Sequence, residues 1–200
     1  MSQEHSLEEI TCENVTGEIT ASYAEKGYTL TFAEEVMRFD LSQTILQMVV
    51  PPGISFYIWT SERSHDFFEA YNASFRHRPG FPGWSEQEWV GWTSDNPTFR
   101  PDLSYLAEVQ GQAAGFITNE EDDTIPEPTG YINQVGVDPR FRRQGIGAAL
   151  VVRSLQAWQE EGKVAVMLHV NVNNPGATRL YQQLGFSIVA RRGKFHKLLV

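Results

Sequence analysis

A single cysteine, Cys12, stands in the whole chain, which rules out an internal disulfide framework and a cysteine-built metal cluster. Positive charge is also scarce. Sixteen Lys and Arg residues face 25 Asp and Glu, for a formal net charge of -9. Such a balance argues against nucleic acid or an anionic membrane as the main partner. Long apolar runs are missing too, since no stretch approaches the ~20 residues of a membrane span. The opening residues, Met1 to Glu9, are acidic and polar, unlike a signal or transit peptide, so a cytoplasmic location is expected. What is present suits a soluble enzyme: 41% hydrophobic and 12% aromatic residues are enough for a sizeable core.

The most informative run is Val135-Gly136-Val137-Asp138-Pro139-Arg140-Phe141-Arg142-Arg143-Gln144-Gly145-Ile146-Gly147, followed by Ala148. An apolar strand enters a turn rich in arginine, and two close glycines open a helix. The first turn of a helix leaves backbone N–H groups unpaired at the positive end of its dipole, which makes an anion site suited to phosphate or pyrophosphate. Gly145 and Gly147 let a ligand approach where a Cβ would intrude. Two better-known phosphate loops are excluded: no lysine follows the glycines, and Leu150 stands where a dinucleotide fingerprint needs its third glycine.

A second block lies downstream. Residues 164–172 are β-branched and apolar enough for a buried strand. Asn174 is a good N-cap, Pro175 suits the first helical position, and Gly185 is placed to stop that helix.

Both blocks resemble the GCN5-related N-acetyltransferase (GNAT) family. Arg142, Gly145 and Gly147 match its Arg/Gln-x-x-Gly-x-Gly/Ala pyrophosphate loop, and Val137 and Pro139 match the entry to it. Asn174, Ala177, Leu180, Tyr181, Gly185 and Phe186 match its Asn-x-x-Ala-x-x-Leu-Tyr-x-x-x-Gly-Phe stretch. The resemblance covers residues 54–200. It implies an α/β (α+β) GNAT fold, a mixed and mostly antiparallel central sheet flanked by helices. It also implies acetyl-CoA as co-substrate, with no metal, and a small-molecule amine as acceptor.

Local signals place a strand at 54–60, a helix at 64–75, and a capping box at Ser85–Glu88 opening a helix that carries Trp89 and Trp92. A hairpin is expected from 104–109 and 113–119, an acidic loop from Glu120 to Pro128, and a strand at 130–137. A helix at 145–161, the strand 164–172, a helix at 175–184 and a final hairpin (186–190, 194–199) complete the domain.

The first residues hold an internal echo. Shifted by 158 positions, Ser22-Tyr23-Ala24-Glu25-Lys26-Gly27-Tyr28 lies over Leu180-Tyr181-Gln182-Gln183-Leu184-Gly185-Phe186, and the alignment continues to Leu41 over Leu199. Tandem members of the family join two domains through such a segment. Residues 1–42 therefore read as the remnant of a preceding domain, a helix plus a hairpin (near 28–32 and 36–41), with 43–53 as linker. This N-terminal hairpin packs on the domain or makes a homodimer, and it carries no ligand site of its own.

The resemblance assigns roles residue by residue. Backbone groups of Arg142 to Ala148 hold the pyrophosphate, and the Arg142 and Arg143 side chains add charge. Val135, Gly136 and Val137 run beside pantetheine, with the Val135 N–H on the thioester carbonyl, and Asn174 bonds the pantetheine arm. Tyr181 is the candidate general acid for the departing thiolate, against the alternative that it only packs. The base is open. Relatives carry a glutamate at the position of Tyr131 or of His169, and a water chain through Asn133, Gln134 or Asn171 is a further route. The loop and helix with Arg76, His77, Arg78, Phe81, Trp84 and Trp89 are expected to form the acceptor side, or an ordinary core. Rival readings are a non-catalytic acyl-CoA-binding or regulatory module, and an interaction protein pairing through its N-terminal hairpin.

Overall fold

The computed structural model describes residues 6–47, 50, 52–122, 124 and 126–199. Two compact units are present: a terminal unit, Met1–Phe39 with Leu168–Val200, and a middle unit, Asp40–Met167.

The middle unit contains β3 (Ile54–Ile58), α2 (Ser64–Phe75), α3 (Glu86–Ser94), β4 (Tyr105–Val109), β5 (Gln112–Asp122), β6 (Thr129–Val137) and α4 (Ile146–Glu160). Its strands lie in the order β6-β5-β4-β3, antiparallel throughout. Helix α2 turns Phe67, Ala70 and Tyr71 inward at helical spacing. The capping box starts α3: Ser85 Oγ accepts from Glu88 N–H at 3.3 Å, and Glu88 Oε2 accepts from Ser85 N–H at 2.7 Å. These helices cover one sheet face, where Phe116 meets Tyr71 and Trp89 at ring-centroid distances of 6.2 and 5.7 Å. Helix α4 covers the other, where Ser154 Oγ and Trp158 Nε1 both donate to Asn119 Oδ1, at 2.7 and 3.1 Å. Fully buried Asn119 also donates from Nδ2 to Leu103 O at 2.6 Å, so its polar groups are satisfied inside the core.

Strand β5 runs past the expected hairpin, and Glu120 to Asp122 belong to it instead of to an acidic loop. Added pairing explains the extension. Arg100 N–H donates to Asn119 O and Glu121 N–H to Thr98 O, both at 2.8 Å, while Phe99 bridges Glu120. Arg100 and Lys163 then neutralise Glu121.

The terminal unit holds β1 (Ser6–Cys12), α1 (Gly17–Glu25), β2 (Thr29–Asp40), the end of β7 (Ala165–Asn171), α5 (Pro175–Gln183) and β8 (Ser187–Leu199). Its strand order is β1-β8-β2-β7. The structure corrects the sequence reading at three places. Strand β1 forms from residues read as a polar lead-in. The two expected hairpins are each one continuous strand, β2 and β8. Glu34-Glu35 and Arg191-Arg192, which read as turns, are partners at the centre of the β2–β8 ladder. Opposite charges on facing strands stabilise the pair where either sequence alone looks like a break. Strand β8 is paired on both sides within this chain, by β1 and β2. The homodimer expected through a hairpin in this segment would therefore need a different edge.

The echo in the sequence is also an echo in the structure. Helices α1 and α5 start and stop 158 residues apart. Thr16 caps α1 by accepting from Ile19 N–H at 3.2 Å, and Asn174 caps α5 by accepting from Ala177 N–H at 3.3 Å. Gly27 and Gly185 follow the helices with φ of 84° and 104°. Tyr23–Tyr28 and Tyr181–Phe186 are equivalent ring pairs, at 5.7 and 5.8 Å.

Candidate active site

Strand β6 ends in a single helical turn, Pro139–Phe141, and the chain then enters α4. Arg143 and Gly145 both have positive φ, 64° and 79°. For arginine that conformation costs about 1–3 kcal/mol, a strain found mostly where a loop has a job to do. Gly145 is the N-cap of α4, and among the described residues no side chain caps the helix. The first amide to bond back into the helix is that of Ala149, to Gly145 O at 2.9 Å. Ile146, Gly147 and Ala148 precede it, so their N–H groups have no carbonyl within the helix. The first turn carries no acidic side chain, and the helix dipole adds positive potential at the same place. Buried Ile146 anchors this turn in the core, while Arg142, Arg143, Gln144 and Gly145 stay exposed. The arrangement fits an anionic group held by backbone amides.

The arginines around the loop divide their work. Arg140 is held by Asp138, Nη2 to Oδ2 at 2.8 Å and Nε to Oδ2 at 3.0 Å. Burial would raise the Asp138 carboxyl, but the bonds from Arg140 outweigh it and hold the group below the usual carboxylate range. Arg142 donates from Nε to Val137 O at 3.0 Å and from Nη2 to Ser74 O at 3.2 Å. It ties the loop to the ends of β6 and α2. Arg143 is the exposed arginine that makes no such tie among the described residues.

Val135, Gly136 and Val137 lie opposite Ile117, Phe116 and Gly115 on β5. Gly136 is required by packing: a Cβ there would sit 2.7 Å from Ser74 Cβ and 2.8 Å from the Phe116 ring. The ladder is irregular between Thr118 and Asn119, leaving Asn133 as an extra residue on β6. Around this bulge lies a polar group that sequence reasoning did not assemble. Tyr131, half-buried, stands opposite Glu120. The Asn133 side-chain amide donates to a Glu120 carboxylate oxygen. Gln134 Oε1 accepts from Trp89 Nε1 at 3.2 Å. Continuing the alternation of Phe116 and Thr118 by one step would have marked Glu120 as facing the same helices.

Of the residues expected on the acceptor side, Trp89 is fully buried and stacks on Tyr71 at 4.7 Å and 19°, so it is core. Phe81 joins it through Tyr71 at 5.6 Å. Arg76, His77 and Arg78 are exposed, and Trp84 packs on Trp92 at 5.2 Å.

The terminal unit holds the other candidates. Asn174 caps α5, and Tyr181 lies in its last turn with 7% exposure. Burial pushes the Tyr181 phenol well above its ordinary pKa, so it keeps its proton at neutral pH. His169 is half-buried on β7. Among the described residues no group of three His, Cys, Asp or Glu is placed to hold a metal ion, and no helix is long and apolar enough to cross a membrane.

Comparison with known proteins follows the same lines. A mycothiol acetyltransferase of Thermobispora bispora is 30% identical over 167 residues, covering 80% of this chain and 56% of that protein. One from Frankia alni is 31% identical over 156 residues, covering 74% of this chain and 46% of its own. The chain thus spans about half the length of these curated relatives. Among solved structures, a GCN5-related N-acetyltransferase from Sphaerobacter thermophilus superimposes with a TM-score of 0.79 at 22% identity, over 97% of this chain and 60% of that one, which speaks to the fold. The sequence profile of the acetyltransferase (GNAT) family matches residues 56–186. The mixed α/β fold and the loop both accord with that match, and the chain belongs to the acetyltransferase (GNAT) family.

Proposed function

We propose that this protein is an acetyl-CoA-dependent N-acetyltransferase that moves the acetyl group directly onto a primary amine of a small molecule. The observation that carries the reading is the uncapped N-terminus of α4, with left-handed Arg143 and Gly145 before it. The amides of Ile146, Gly147 and Ala148 take the pyrophosphate, with Arg143 adding charge. Val135 and Val137 offer backbone groups to pantetheine, the Val135 N–H acting on the thioester carbonyl, and Asn174 bonds the same arm. The amine attacks the carbonyl carbon, the C–S bond breaks, and Tyr181 protonates the departing thiolate. His169 is a candidate to accept the amine proton.

Residues 1–42 belong to the proposal as the descendant of a preceding domain without a loop of its own, with 43–53 as linker. The location is read as cytoplasmic. A rival remains in a non-catalytic acyl-CoA-binding module, favoured by Tyr131 and His169 standing where relatives carry glutamate. The test is release of CoA thiol from acetyl-CoA across a panel of small amines. Amine-dependent release supports transfer, whereas tight CoA binding without release across the panel favours the rival.

A further inference from the structure

We infer that Glu120 is the base that takes the proton from the acceptor ammonium; this rests on the reading of the protein as an N-acetyltransferase. The carboxylate sits on the sheet face covered by α2 and α3, beside the β6 bulge. Its partners are neutral: the Asn133 amide, and the amide of Asn96 in the loop after α3. Asn96 is oriented for this, because its Oδ1 accepts from Thr98 N–H at 3.1 Å and from Thr98 Oγ1 at 2.8 Å, leaving its NH₂ for Glu120. Among the described residues no arginine, lysine or histidine forms an ion pair with Glu120. Its neighbour Glu121 engages Arg100 and Lys163 instead. A half-buried carboxylate held by donors that bring no charge is costly unless a cation visits it.

Two further observations point the same way. Thr118, 1% exposed and opposite Gln134, has a buried hydroxyl with no hydrogen-bond partner among the described residues. An orphaned hydroxyl of this kind costs about 1–3 kcal/mol, a cost that a polar group of a bound acceptor would relieve. Tyr131, at a position where the sequence reading looked for a base, is the cross-strand partner of Glu120. Directly opposed residues share a face with Cβ atoms about 5 Å apart, so the carboxylate absent at 131 is supplied from the neighbouring strand.

A proton passes from the ammonium to a Glu120 oxygen, and the freed lone pair forms the C–N bond to the thioester carbon. The C–S bond breaks with its electron pair on sulfur. The second amine proton leaves as the amide forms and balances the one the thiolate gains, and Glu120 returns its proton to water. Burial holds the Glu120 carboxyl above the usual carboxylate range, against the opposing pull of the Asn133 and Asn96 bonds. Among the described residues, the groups bonded to it are the neutral amides of Asn133 and Asn96, the titratable group directly opposite is Tyr131 on β6, and Glu121 follows it on its own strand. A raised carboxyl is a better proton acceptor near neutral pH.

Glu120→Gln keeps an acceptor for both amides and removes the basicity, so it separates chemistry from packing. With the full chain, acetyl-CoA and the best amine of the panel, this variant should lose roughly 10²–10⁴-fold in kcat/KM for the amine. Acetyl-CoA affinity should stay unchanged, and the acid limb of the pH profile should vanish. Glu120→Asp should restore part of the rate and a displaced limb, and a weakly basic amine, already deprotonated, should shrink the defect. Because the folded-state carboxyl is raised, folding takes up a proton, and stability falls as pH rises from the unfolded value through the folded one. Glu120→Gln should therefore melt above wild type at pH 8 and converge with it near pH 4, the reverse of what a purely structural carboxylate would do. Wild-type rate and acid limb in Glu120→Gln would overturn the inference while leaving N-acetyl transfer intact. A wild-type protein without amine-dependent transfer would remove both. Should Glu120→Gln not fold, an unmoved acid limb in Glu120→Asp overturns the assignment and a moved one supports it.

Discussion

Glu34 and Arg192 face each other at the centre of the β2–β8 ladder, joined Nε to Oε2 at 2.8 Å, and each is the other's counterpart in the internal repeat. Every other pair in that ladder maps onto a different one under the same shift: Thr29–His196 onto Arg38–Ser187, Leu30–Phe195 onto Met37–Ile188, and Ala33–Gly193 onto Glu35–Arg191. Both irregularities of the ladder exchange as well. The terminal unit is thus built on a local two-fold passing through this ion pair. Reversing the pair should be tolerated, because the flanking geometry is equivalent from either side. Glu34→Arg and Arg192→Glu alone should each destabilise, and the double variant should recover most of the loss. A coupling on the order of 1 kcal/mol is expected, at the upper end of the range for exposed pairs, since the Glu34 side chain is 15% exposed. Chemical denaturation of the four proteins measures it, and additive effects would contradict the two-fold reading.

Deleting residues 1–42 should be poorly tolerated. It removes β1 and β2 together and leaves β8 unpaired along both edges, an aggregation hazard. The truncated chain should be less soluble and melt at a lower temperature. If it stays soluble with unchanged melting, the segment does not support β8 in solution.

Gly136→Ala tests how closely α2 is seated on β6. The added methyl meets Ser74 and the Phe116 ring well inside contact distance, and overpacking of this kind costs roughly 1–3 kcal/mol. Thermal unfolding should move down accordingly. A wild-type midpoint would show that α2 lifts away freely.

Tyr181→Phe should lower kcat by roughly ten- to a thousandfold with little change in acetyl-CoA affinity. Loss of a general acid usually costs 10²–10⁴-fold, and solvent partly replaces it at an open site. Unchanged turnover would reduce Tyr181 to a packing residue beside Phe186. His169→Gln separates the candidate bases. If Glu120 takes the proton, this variant keeps the acid limb of kcat/KM, and loss of the limb would move the role to His169.

Most elements were legible in the sequence because their signals are local. The capping box at Ser85, the Pro175 start and Gly185 stop of α5, and the spacing of Phe67, Ala70 and Tyr71 each define a helix without outside help. The phosphate-loop glycines were legible for the same reason. The failures involve partners far apart in sequence. Glu34-Glu35 reads as a turn until Arg191-Arg192 is laid opposite, and Glu120 reads as loop until Thr98 and Arg100 pair beside it. Trp89 reads from sequence either as acceptor wall or as core, and only its stack on Tyr71 places it in the core. Charged residues in a strand become intelligible only once their cross-strand partners are known.

The central claim is that backbone amides at the start of α4 bind the pyrophosphate of acetyl-CoA, and calorimetric titration of acetyl-CoA into wild type and Gly145→Glu tests it most directly. The variant places a carboxylate in the anion site and forces a side chain onto a residue with φ of 79°. Circular dichroism and melting confirm that it remains folded. The account predicts saturable binding to wild type and none to folded Gly145→Glu, whereas equal affinity in the two proteins would contradict it.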